Sequence, residues 1–90
     1  MKTKEGFELR TVCGENVLMA QGLSTIDFGK LIHFNDTAAY LWQEANRQGS
    51  FTAATLAKAL CGEYEVSEQQ ALADVERMLT KWKNEGIVED

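Results

Sequence analysis

Ser67-Glu68-Gln69-Gln70-Ala71-Leu72-Ala73-Asp74-Val75-Glu76-Arg77-Met78-Leu79-Thr80-Lys81-Trp82 carries the clearest structural signal in the 90-residue chain. Ala71, Leu72, Val75, Met78, Leu79 and Trp82 recur at helical spacing, and at ~100° per residue they fill an arc of about 120°, wide enough for a core-facing helix. Ser67 and Gln70 stand three apart, as the two members of a capping box do. Gly86 is placed for the left-handed residue that ends a helix, with Ile87 folding back over Trp82 as in a Schellman ending. The spacing predicts a helix over 68–85.

Working back towards the N-terminus, Thr52 offers an N-cap, and Phe51 and Leu56 stand at the spacing of a hydrophobic staple. Leu56, Ala57 and Leu60 form the inner face of a helix over 53–61. Asn35 or Asp36 caps an earlier helix over 36–47, which buries Ala38, Leu41, Trp42 and Ala45 and stops at Gly49. Ahead of the helices, Phe7, Leu9 and Val12 alternate with Glu8 and Arg10, Cys13-Gly14-Glu15-Asn16 supplies a turn, and Val17-Leu18-Met19 follows. The pattern reads as strands over 7–12 and 16–20. A connection over Gln21–Gly29, with Gly22 and Gly29 at its borders, leads to a third strand over 30–34. Three antiparallel strands followed by three helices make a winged-helix-like α+β fold with its wing at the N-terminus, and the whole chain, 1–90, reads as one domain.

Composition narrows the function. The chain is 44% hydrophobic and 26% charged, the range of an ordinary folded protein. Lys and Arg number 9 against 14 Asp and Glu, a formal charge of -5, which disfavours a polyanionic partner such as nucleic acid. No run of ~18 apolar residues could span a membrane and no apolar signal segment opens the chain, so a cytoplasmic protein is expected. Cys13 and Cys61 are far apart, without paired histidines, and give no metal-ligand or disulfide spacing. His33, the single histidine, lies in an apolar run with no nucleophile motif near it. The residues therefore give no catalytic group, metal site or cofactor.

A short three-stranded sheet has edges, and an edge strand displays unpaired N–H and C=O groups that can template a further strand. Leu31-Ile32-His33-Phe34 is the candidate edge. Alternation places Ile32 and Phe34 on one face and Leu31 and His33 on the other. An aspartate at Leu31, or a proline at Ile32 that removes one N–H, is the substitution to which such an edge should respond.

At this level of detail the chain resembles the PqqD-like proteins, the small leader-peptide-binding domains also called RiPP recognition elements. The resemblance lies in Ile32-His33-Phe34-Asn35-Asp36-Thr37-Ala38-Ala39-Tyr40-Leu41-Trp42, then Gly49-Ser50-Phe51-Thr52 with Leu56 and Leu60, Glu63-Tyr64-Glu65-Val66, Ala73-Asp74-Val75, Leu79, Trp82 and Gly86-Ile87-Val88. Phe34 and Trp82 stand where leucine is more usual in the family. The resemblance implies a non-catalytic module that holds the leader of a ribosomally made precursor peptide and presents it to a modifying enzyme, often a radical SAM maturase. It also implies that the leader adds a strand beside the third strand and lies against the third helix.

Energetics agree that pairing alone is insufficient. Four backbone bonds at ~0.5–1.5 kcal/mol each give only a few kcal/mol, ordering a disordered peptide costs roughly 2–5, and micromolar binding needs about -8.2. Apolar anchors must therefore be buried in a groove, and the third helix supplies the wall. Of its two flanks we take the one bearing Asp74, Arg77, Met78 and Lys81; Glu76 and Lys83 border the other. The alternatives are a winged-helix DNA-binding regulator, disfavoured by Glu68, Asp74 and Glu76 preceding Arg77 on the third helix, and a generic protein-interaction module. The same open edge leaves a monomer or a weak homodimer as the expected state.

Overall fold

The computed structural model describes residues 1–20 and 31–90. Its elements are β1 (Lys2–Thr3), β2 (Phe7–Val12), β3 (Glu15–Ala20), β4 (Ile32–Phe34), α1 (Asp36–Gln48), α2 (Ala53–Glu63), α3 (Glu68–Glu85) and β5 (Val88–Glu89). β2, β3 and β4 form an antiparallel sheet in that order, with Leu9 opposite Leu18 and Leu18 opposite Ile32. The three helices follow, giving the α+β fold read from the sequence. Lys30 and the connection over Gln21–Gly29 lie outside the described residues.

Local chemistry sets the helix ends. Asn35 caps α1, its side-chain oxygen accepting from the Ala38 N–H at 2.8 Å, and Gly49 ends the helix at a φ of 77°. At the start of α2, Thr52 and Thr55 cap each other reciprocally, each side-chain oxygen accepting from the other's N–H. Phe51 and Leu56, at the staple positions, are both buried. α3 ends in a Schellman motif: the Ile87 N–H donates to the Trp82 carbonyl and the Gly86 N–H to that of Lys83, both at 3.1 Å, with Gly86 left-handed.

Three expectations are corrected. The capping box of α3 is half made, because Ser67 Oγ accepts from the Gln70 N–H while the Gln70 side chain turns forward to donate to Asp74. The helix keeps a conventional N-cap, so Ser67→Ala should cost about 1 kcal/mol of stability, read as a lower midpoint in urea unfolding. Leu72 is 37% exposed; it sits about 60° round the helix from Val75, at the rim beside Glu76 and Lys83. The first turn is also shorter than Cys13-Gly14-Glu15-Asn16, because Glu15 already pairs with Val12 and only Cys13 and Gly14 lie between them.

The core gathers Leu18 and Phe34 from the sheet, Leu41, Trp42 and Ala45 from α1, Phe51, Leu56 and Leu60 from the α2 region, and Ala71, Val75, Leu79 and Trp82 from α3. Ile87 and Val88 close it from the C-terminal side. β1 and β5 were not legible in the sequence; they pair two residues each, Lys2 with Glu89 and Thr3 with Val88, and bring the two ends of the chain together. The Phe51 N–H donating to the Met1 carbonyl and the Lys4 N–H donating to that of Ile87 hold the clasp in place.

Candidate peptide-binding groove

The tight turn between β2 and β3 determines which way the main chain of β4 faces. Cys13 and Gly14 both have positive φ, 53° and 80°, as a two-residue hairpin turn of the I′ type requires. In such a turn the carbonyl of the first residue accepts from the N–H of the fourth, so the main-chain groups of Val12 and Glu15 face each other. Alternation then turns those of Val17 and Met19 towards β2 and those of Asn16 and Leu18 towards β4. Phe34, opposite Asn16, and Ile32, opposite Leu18, point back at β3. His33 is left with its N–H and C=O facing away from the sheet, and among the described residues no strand pairs with β4 on that side. Ile32, the position that sequence alone suggested for a proline test, thus spends its N–H inside the sheet.

Beside that free edge runs a groove of about 450 Å³ between β4, the start of α1 and one flank of α3. β4 and the cap of α1 contribute His33, Phe34 and Asn35, α1 contributes Thr37 and Ala38, and α3 contributes Asp74, Arg77, Met78, Lys81, Trp82 and Glu85. Aromatic packing builds its base: Phe34 stacks on Trp82 with ring centres 5.6 Å apart, and Trp42 meets the edge or face of both, 5.4 Å from Trp82 and 6.0 Å from Phe34.

The rim is polar and its charges balance, with Asp74 and Glu85 against Arg77 and Lys81. Arg77 is ion-paired to Asp74, which also accepts from Gln70 Nε2 at 2.9 Å. The imidazole of His33 is 67% exposed, its Nδ1 3.5 Å from a carboxylate oxygen of Glu15.

The structure therefore brings His33, Phe34, Asp74, Arg77, Met78 and Lys81 to one groove. It does not bring Leu31 or Ile32 to that lining; both are half-buried, and Ile32 packs on the core. Glu85, one turn beyond Lys81, continues the stripe of 74, 77, 78 and 81, so extending the helical period would have found it. Asn35, Thr37 and Ala38 carry no such signal, because only the packing of α1 against β4 places them there.

Among the described residues no group of three or more His, Cys, Asp or Glu is placed to hold a metal ion, and no helix is long and apolar enough to cross a membrane. Cys13 and Cys61 are free thiols, the first exposed and the second half-buried.

Residues 15–88 match the family model described as coenzyme PQQ synthesis protein D (PqqD). Two solved structures share the fold across nearly the whole chain. One is TbiB1 in complex with the TbiA(beta) leader peptide, with a TM-score of 0.74 at 18% identity, covering 99% of this chain and 95% of that one. The other is lasso peptide synthetase B1 complexed with the leader peptide, with a TM-score of 0.73 at 24% identity, covering 99% and 96%. No curated protein matches the sequence.

Proposed function

The chain belongs to the PqqD family, and on that premise we propose that it is a non-catalytic adaptor, holding the leader segment of a ribosomally made precursor peptide and presenting it to a modifying enzyme. The observation that carries this reading is the outward main chain of His33 beside a groove based on Phe34 and Trp82. An extended peptide would pair with β4 and lower alternate side chains onto the aromatic base, with Met78 as an adaptable apolar wall. That both fold relatives were solved with leader peptides supports the same use of the fold. The enzyme served is a radical SAM maturase, the setting is the cytoplasm, where precursors are synthesised, and Leu31 flanks the incoming strand. No comparison favours the DNA-binding alternative.

The decisive experiment searches the reading frames that flank this gene for a short precursor-like peptide and titrates the protein into that peptide, fluorescently labelled. Saturable anisotropy in the micromolar range, lost on scrambling the peptide, is expected. Because the rim carries two charges of each sign, raising salt should weaken binding only modestly. No binding, or equal binding of the scrambled peptide, overturns the reading. A duplex DNA shift that falls steeply with salt would instead establish the nucleic-acid alternative.

A further inference from the structure

The sheet has a second edge, and it is the longer one. β2 pairs with β3 in an unbroken one-to-one register from Phe7 opposite Ala20 to Val12 opposite Glu15, and among the described residues no strand lies on its other side. Edge strands are ordinarily blunted by proline, a bulge or charged side chains, lysine above all; the stretch Phe7-Glu8-Leu9-Arg10-Thr11-Val12 has no proline, bulge or lysine, and its two charges, Glu8 and Arg10, are of opposite sign. Arg10, Thr11 and Val12 are exposed, Val12 by 50%. The turn that orients β4 also orients β2: Val12, Arg10 and Glu8 direct their main-chain groups at β3, leaving those of Phe7, Leu9 and Thr11 pointing outward.

We propose that β2 is a self-association edge at which two copies of the chain pair antiparallel about a two-fold axis through Leu9. A two-fold axis perpendicular to the sheet keeps the core faces of both copies on one side, so a residue can lie opposite only residues an even number of positions away. Three such registers overlap substantially. Centring on Glu8 sets Glu8 against Glu8, and centring on Arg10 sets Arg10 against Arg10; both oppose like charges. Centring on Leu9 alone sets Glu8 opposite Arg10 of the second copy, twice, with Leu9 against Leu9 and Phe7 against Thr11 on the core face.

Glu8 and Arg10 are already ion-paired along the strand at 3.2 Å, so pairing completes a ring of four alternating charges. The outward groups at 7, 9 and 11 then exchange hydrogen bonds with those at 11, 9 and 7. A contact of five residues per copy, 7–11, buries far less than the ~1,200 Å² of a stable interface, so the dimer is weak and forms at high concentration. It joins the sheets in the order β4-β3-β2-β2-β3-β4, with both β4 edges outermost and both peptide grooves open.

Sedimentation of the full chain from micromolar to millimolar concentration tests this, with circular dichroism and thermal melting run on every variant. The wild type should shift from monomer to dimer, less so at high salt. Glu8→Arg and Arg10→Glu should each stay monomeric with an unchanged melt, and the double variant Glu8→Arg with Arg10→Glu should dimerise again, because the ring re-forms with its signs exchanged. A wild type that stays monomeric throughout overturns the proposal. So does a dimer indifferent to the single charge reversals, a double variant that fails to recover, or a dimer abolished by His33→Pro, which would place the contact on β4. Dimerisation and peptide binding use opposite edges, so either can fail without the other.

Discussion

His33→Pro should weaken binding of the precursor peptide by roughly 5- to 150-fold while leaving the protein folded, and Ile32→Pro should do the reverse. The two residues are adjacent, yet their N–H groups face opposite ways. At position 33 the proline removes an outward donor and leaves a carbonyl of the bound peptide without a partner, a loss of ~1–3 kcal/mol. At position 32 the same change deletes a bond to Leu18 across the ladder between β3 and β4 and should lower stability by a similar ~1–3 kcal/mol. Anisotropy titration read beside a urea melt separates the two effects. Leu31→Asp supplies a side-chain counterpart: an unpaired carboxylate flanking the paired edge should abolish binding with the helical circular dichroism signal intact. If His33→Pro binds as tightly as the wild type, no strand is being added at β4.

Trp82→Ala should cost ~3–5 kcal/mol of stability, a large part of the about 5–15 kcal/mol that holds a domain together. Its side chain is 2% exposed and touches both Phe34 and Trp42, so truncation leaves a cavity and breaks two aromatic contacts worth ~0.5–1.5 kcal/mol each beyond their buried area. Urea or thermal unfolding followed by far-ultraviolet circular dichroism measures the loss. Trp82→Phe, which retains an aromatic ring against Phe34, should lose markedly less. A Trp82→Ala protein with a wild-type midpoint would mean that the inward face of α3 has been misidentified. Because Phe34 and Trp82 also form the base of the groove, Trp82→Phe should alter peptide affinity even where it spares the fold.

The helices were legible because their signals are local. Asn35, Thr52 and Ser67 cap by reaching N–H groups three residues on, Gly86 adopts a left-handed turn that few other residues tolerate, and the apolar stripe of α3 repeats with the helical period. The flank of α3 bearing Asp74, Arg77, Met78 and Lys81 could be listed from that period but not assigned to a groove, since a helical wheel shows which residues share a side and not what packs beside it. The clasp of β1 and β5 was invisible for the same reason: two residues at each end carry no periodicity, and their pairing depends on where α3 delivers Val88.

Chain chemistry alone thus determined the order of three strands and three helices, the caps and the inward stripe of α3, because each depends on contacts within a few residues. The tertiary structure decided which main-chain groups stay open. The turn between β2 and β3 holds two residues, so Val12 and Glu15 face each other and every second residue of β3 turns its main chain towards β4. That parity, carried across β3 to β4, is what leaves His33 open and Ile32 closed. No residue pattern at positions 31–34 encodes it, because the information lies in the register of two other strands.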